Sequence, residues 1–173
     1  MSAEEPAGTS LSHGRIVGVI LAGGQSRRMG GGDKSLARLA GRTLMDRVIG
    51  RFAPQCAGIV ISANGDPSRF ANFKLPVIGD LEESHAGPLA GILAAMHWAR
   101  REMPTATHIA SVTADAPLIP HDLVARLALK ATEQSNEIAV ARSAGQTHPP
   151  IALWPVNLLK SLEHYLKIGR AHV

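Results

Sequence analysis

An α/β sandwich with a mostly parallel sheet covered by helices on both faces is the fold class this sequence predicts. Short apolar runs rich in β-branched residues recur along the chain between turn residues, as strands buried on both faces require. Segments with apolar residues at helical spacing lie between them. With 173 residues, 45% of them apolar, the chain has the material for one core of ordinary domain size.

Strands are expected at Ile16 to Leu21, Gly58 to Ala63, Leu75 to Ile78, His108 to Thr113, Glu137 to Ala141 and Ile151 to Trp154. The first helix follows an N-cap at Thr43, its stripe running through Leu44, Met45, Val48, Ile49 and Phe52. A second starts at Pro88, a residue suited to the first helical position, with Leu89, Ile92, Leu93 and Met96 on one face. Later stripes run through Leu123, Val124, Leu127 and Leu129, and through Leu158, Leu159, Leu162 and Leu166. Cys56, Met96 and Trp98 read as packing residues. The order strand, helix, strand puts a ligand site at the carboxyl ends of the strands. Residues 1–14 read as a disordered leader and 15–173 as a single domain.

Composition excludes several classes. No apolar run approaches the roughly 20 residues of a membrane span, and the N-terminus lacks the basic start and apolar middle of a secretory signal. One cysteine, Cys56, makes no internal disulfide, and the eight histidines do not group with it at zinc-ligand spacing, so a cytoplasmic protein without structural metal is expected. The net charge of +4 is uneven. Eight basic residues against two acidic ones put +6 between Arg15 and Arg51, leaving −2 elsewhere, and aromatics are only 3% of the chain. A local positive segment without stacking residues fits a small polyanion, not a nucleic acid.

That segment contains the most informative stretch, Leu21-Ala22-Gly23-Gly24-Gln25-Ser26-Arg27-Arg28-Met29-Gly30-Gly31-Gly32-Asp33-Lys34, directly after the first strand. Glycines let backbone N–H groups turn toward phosphate oxygens, and Arg28 and Lys34 add charge suited to a triphosphate. The spacing is neither that of a Walker loop nor that of a dinucleotide-binding turn, and glycine content alone leaves a basic surface loop as an equal alternative. Asp115 follows an apolar run and belongs at the carboxyl end of a buried strand, where a carboxylate can hold Mg²⁺ against phosphates; the competing role is a helix cap, with Pro117 and Pro120 intervening. Asp80 stands in the same relation to its own run, against the alternative of a solvated turn beside Glu82 and Glu83. Gly87-Pro88-Leu89 opens a helix whose free N–H groups face the cleft, so these residues are read as site lining. His148, before Pro149-Pro150, suits either an anionic substrate or a loop strut.

The full word is more selective than its glycines. Leu-Ala-Gly-Gly-x-Ser-x-Arg-Met-Gly followed by Asp-Lys resembles the signature of the molybdenum cofactor guanylyltransferases, the MobA-type nucleotidyltransferases with a three-layer α/β/α, Rossmann-like fold. The resemblance continues through Gly87-Pro88-Leu89-Ala90-Gly91-Ile92, Ala114-Asp115-Ala116-Pro117 and His148-Pro149-Pro150-Ile151-Ala152-Leu153-Trp154, four ordered motifs covering about residues 16 to 166.

The resemblance implies transfer of GMP from GTP to Mo-molybdopterin with release of pyrophosphate, and molybdoenzymes or their chaperones as further partners. It implies GTP contacts from Leu21, Ala22, Gly23, Gly24, Lys34, Asp80, Gly87, Pro88, Leu89 and Asp115, catalytic roles for Arg28, Lys34 and Asp115, Mg²⁺ on Asp115, and His148 on the acceptor side. The family commonly has Asn where this chain has Ser62, so either Ser62 or Asn64 supplies that nucleotide contact. Gly23 stands where cytidylyl relatives tend to have Ala, which implies room for guanine. The family continues past Tyr165 to Arg170 with another strand and an Asn-x-Asn-Thr-Pro-type segment, whereas this sequence stops at Val173, so the nucleotide side is expected to be better represented than the acceptor side. The alternatives are a related cytidylyl or sugar-phosphate nucleotidyltransferase and a non-catalytic GTP-binding module that delivers cofactor.

Overall fold

A computed structural model describes residues 13–23, 33–80, 87–133 and 138–168. The central sheet is built from β1 (Ile16–Leu21), β4 (Gly58–Ser62), β5 (Val77–Ile78), β6 (His108–Thr113), β7 (Ala139–Ser143) and β8 (Gln146–Pro155). A small separate hairpin pairs β2 (Arg38–Leu39) with β3 (Arg42–Thr43). Among the described residues the α-helices are α1 (Leu44–Phe52), α2 (Pro88–Glu102), α3 (Leu123–Glu133) and α4 (Leu159–Ile168).

The sheet order is β5-β4-β1-β6-β8-β7. β5, β4, β1 and β6 run parallel, and β8 is antiparallel to both β6 and β7. Side chains alternate across β1: Ile16 and Ile20 pack with Met45, Val48 and Phe52 of α1 and Leu123, Val124 and Leu127 of α3. Val17, Val19 and Leu21 pack on the opposite face with Ile92, Leu93 and Met96 of α2 and Leu159 of α4. The result is the expected three-layer sandwich, mixed but mostly parallel. Among the described residues no helix is long and apolar enough to cross a membrane.

The centre of β1 requires glycine for close approach. A Cβ on Gly18 would lie 2.6 Å from the ring of Phe52, 2.8 Å from Ile59 and 2.9 Å from the Cys56 sulfur. Burial pushes the Cys56 thiol up to about 12, in keeping with a packing role.

The start of α1 is a capping box. Thr43 Oγ1 accepts from Asp46 N at 3.0 Å, and Thr43 N donates to Asp46 Oδ2 at 3.1 Å. Chiefly through its bond from the Thr43 hydroxyl, the Asp46 carboxyl is held below its ordinary value. A depressed carboxyl contributes stability above its unfolded value and loses it as pH falls through the folded one, so the cap is intact at neutral pH. Thr43→Ala is expected to cost about 1 kcal/mol and to lower Tm by about 2–4 °C. A thermal melt checks this, and an unchanged Tm would mean that the hairpin and core hold α1 without the box.

Some boundaries differ from the sequence reading. Leu129 is exposed, and Ala128 takes its place on the buried face, because Leu127 and Ala128 are the residues in helical register with Leu123 and Val124. β5 is confined to Val77–Ile78, and β8 extends from Gln146 rather than Ile151 because a turn at Ala144-Gly145, both with positive φ, folds it back on β7. The expected strand start Glu137 lies outside the described residues.

Candidate active site

The chain passes from β1 to β4 and β5 on one side, then crosses back through α2 to β6 on the other side of β1. The carboxyl ends of β1 and β6 therefore form a topological switch point, the place where α/β sheets of this order bind ligands in a crevice. The strand ends are stitched together there: Ala22 N donates to Ser62 O at 2.9 Å, and Ala114 N to Leu21 O at 3.1 Å. Gly23 follows, exposed, and a Cβ there would meet nothing within 4 Å. Packing among the described residues therefore gives no reason for glycine at this position.

Lys34 and Asp115 meet across this crevice although 81 residues separate them. Lys34 Nζ donates to Asp115 Oδ2 at 2.9 Å, with the side chains 59% and 45% exposed, so both remain reachable from solvent. The Lys34 ammonium is the main cause holding the Asp115 carboxyl below its ordinary value; a hydrogen bond from Thr113 assists and partial burial opposes. Asp115 is thus an ionised carboxylate at the end of a buried strand.

On the other side of β1, an open cleft of about 400 Å³ lies at the ends of β4 and β5, lined in part by Asn64, Pro67, Val77, Gly79 and Asp80. Asn64 Nδ2 donates to Asp80 Oδ2 at 2.6 Å and Asp80 N donates to Asn64 Oδ1 at 2.8 Å. This reciprocal pair fixes the orientation of the Asp80 carboxylate. Ser62 is buried instead: a Cβ on Gly91 of α2 would lie 2.5 Å from its Oγ. Of the two residues weighed for the nucleotide contact, Asn64 is the one among the residues lining the cleft.

Gly87, with φ of 140°, precedes Pro88 at the start of α2, and Leu89 is half-buried behind it. The helix starts at the carboxyl side of β5 and runs back to the beginning of β6, so its free N–H groups lie at the ligand end of the sheet. Ser111 opposes Ala152 in the β6–β8 pairing, so His148 projects past the end of β6 toward the same end. His148 Nε2 is hydrogen-bonded to Ser143 Oγ at 2.7 Å across the β7–β8 pairing. Gly24 and Arg28 lie outside the described residues.

Several residues that shape this region carry no signal in the sequence reading. Gln55, buried in the 3-10 turn that follows α1, donates to Pro120 O at 2.9 Å and accepts from Val124 N at 2.9 Å. Arg51 donates to Ile119 O at 3.1 Å, so the segment carrying Asp115 is tied to α1 from below. Arg69 pairs with Asp33. Each of these contacts joins segments far apart in sequence, which no local pattern announces.

Comparison with known proteins places this arrangement. The family model described as MobA-like NTP transferase domain matches residues 18–172. A molybdenum cofactor guanylyltransferase of Bradyrhizobium sp. (strain ORS 278) is 50% identical over 158 residues, covering 91% of this chain and 74% of that protein. Another, from Rhodopseudomonas palustris (strain BisB5), is 51% identical over 154 residues, covering 89% and 73%. The crystal structure of molybdopterin-guanine dinucleotide biosynthesis protein A from Archaeoglobus fulgidus superposes with a TM-score of 0.66 at 22% identity, over 89% of this chain and 74% of that one, and so shares the fold. The chain belongs to the MobA-like NTP transferase family, among the molybdenum cofactor guanylyltransferases.

Proposed function

We propose a division of labour by which this chain, as a guanylyltransferase of molybdenum cofactor biosynthesis, moves GMP from GTP to Mo-molybdopterin. A terminal phosphate oxygen of the acceptor attacks the α-phosphorus of GTP. The bond between that phosphorus and the oxygen bridging to the β-phosphate breaks, and pyrophosphate leaves. No covalent enzyme intermediate is needed, so the protein's task is to align two polyanions and neutralise charge.

The observation that carries this reading is the order of groups along one end of the sheet. Asp80 follows β5, Asn64 follows β4, Gly23 follows β1, Asp115 follows β6, and His148 lies on β8. At about 4.8 Å per strand, β5 to β6 spans roughly 14 Å. Asn64 and Asp80 take the nucleoside end, with backbone contacts from Leu21, Ala22, Gly23 and Gly24. Lys34 and Arg28 take the phosphates, Gly87 to Leu89 line the crevice, and His148 faces the acceptor.

Asp115 is suited to a hard divalent cation, being ionised and half-exposed beside the phosphate-facing lysine. Mg²⁺ binds through one or two carboxylates with phosphate and water completing its shell, and Asp115 would supply such a carboxylate. When bound, the cation would neutralise charge on the phosphates. Molybdoenzymes or their chaperones are then the recipients of the product, a consequence of the family's chemistry.

The test is nucleotide choice. Since a Cβ at position 23 meets no atom of the described residues within 4 Å, Gly23→Ala is expected to leave the fold intact and to lower GTP affinity by about tenfold or more while sparing CTP, the scale of one intruding methyl group. Competition binding measures it, and an unchanged GTP to CTP ratio would remove Gly23 from base selection. Pyrophosphate release with GTP and molybdopterin tests the reaction itself.

A further inference from the structure

We propose that Arg69 is a positioning residue that clamps the phosphate side of the site to the nucleoside side; the inference rests on the functional reading above. Arg69 Nε lies 3.0 Å from Asp33 Oδ2, and Arg69 Nη2 donates to Asn64 O at 3.0 Å. Nε is shielded from solvent and has no well-aligned hydrogen bond, so its contact with Asp33 is an ion pair between two partly buried side chains. The guanidinium also stacks 4.7 Å from the ring centroid of Phe70, itself fully buried, which restricts its orientation.

Both ends of the clamp are themselves held. Asp33 Oδ1 accepts from Ser35 N at 3.0 Å and Ser35 Oγ at 2.6 Å, enclosing Lys34 between two fixed neighbours. Asn64 exchanges two hydrogen bonds with Asp80. A continuous line of contacts thus runs Asp80, Asn64, Arg69, Asp33, and from its neighbour Lys34 to Asp115. A ligand with a nucleoside at one end and phosphates at the other needs those ends a fixed distance apart, and Arg69 ties the two segments together from one planar group, by a hydrogen bond from Nη2 to Asn64 O and an ion pair between Nε and Asp33. Lysine, with a single point charge, cannot serve both arms.

The clamp makes a prediction that a merely structural role does not. In Arg69→Met, guanosine and inorganic tripolyphosphate should each bind within about twofold of wild type, whereas GTP, which must satisfy both halves at once, should bind about tenfold more weakly. Arg69→Lys should fall between the two. Asp33→Asn, which keeps the shape but removes the charge, should reproduce the selective loss of GTP affinity, and adding it to Arg69→Met should cost little more if the two residues act as one pair. Calorimetry with the three ligands on proteins of verified melting temperature reads all of this. A loss of tripolyphosphate binding as large as that of GTP would make Arg69 a phosphate contact, a parallel loss of guanosine would make it a support for Asn64 alone, and an unchanged GTP affinity would make it dispensable; each overturns the clamp. Wild-type protein that binds no GTP would instead overturn the functional reading on which the clamp rests.

Discussion

Asp115→Asn is expected to reduce turnover by on the order of 10²- to 10³-fold, the scale for removing one charge-stabilising group from a preorganised site, while the protein stays folded. Asparagine is nearly isosteric and its amide oxygen still accepts from Lys34, so the crevice keeps its shape. What disappears is the negative charge that suits this position to a divalent cation. The Lys34–Asp115 pair is about half-exposed, so its loss costs stability at most about 1 kcal/mol. Measurement of pyrophosphate release beside a thermal melt separates the two effects. A folded variant working at the wild-type rate would remove Asp115 from the chemistry, and a variant that fails to fold would make it structural.

Lys34→Met is expected to weaken GTP by about 10- to 150-fold, corresponding to about 1.5–3 kcal/mol for a lost charge-assisted bond, and to leave guanosine nearly unchanged. The comparison of ligands is decisive because Lys34 has a second partner. If its role were to hold the loop through Asp115 and the Asp33–Ser35 turn, both ligands would suffer alike. If its ammonium meets phosphate, only the phosphorylated ligand loses. Calorimetric titration of the two ligands distinguishes these cases, and equal losses would reassign Lys34 to loop structure.

How much of this was legible beforehand depends on the range of the interaction. β1 and β6 read directly from their apolar runs, and the α1 start from Thr43, because burial on both faces and capping are short-range demands on the sequence. The β2–β3 hairpin carries little local signal, since its turn uses Ala40, a non-glycine residue with positive φ, beside Gly41. The apolar stripe does not include Leu129, because Leu127 and Leu129, two residues apart, lie on different faces of one helix turn. Among the candidate site residues, the positions of Asp80 and Asp115 after apolar runs mark them in the sequence, whereas nothing local chooses between Ser62 and Asn64. Only the packing of Gly91 against Ser62 turns one inward and leaves the other at the cleft.

The sequence by itself determined the alternation of strands and helices, the parallel core of the sheet, the glycine-rich word after β1 and the family that word resembles. These depend on periodicity and on residue order, which are properties of the chain alone. Tertiary structure decided that Lys34 meets Asp115, that Asn64 and Asp80 lock together, and that Gln55 and Arg69 tie loops from distant segments. Such pairings depend on strand order across the sheet and on which side chains the packed helices leave exposed, so they have no counterpart in local pattern.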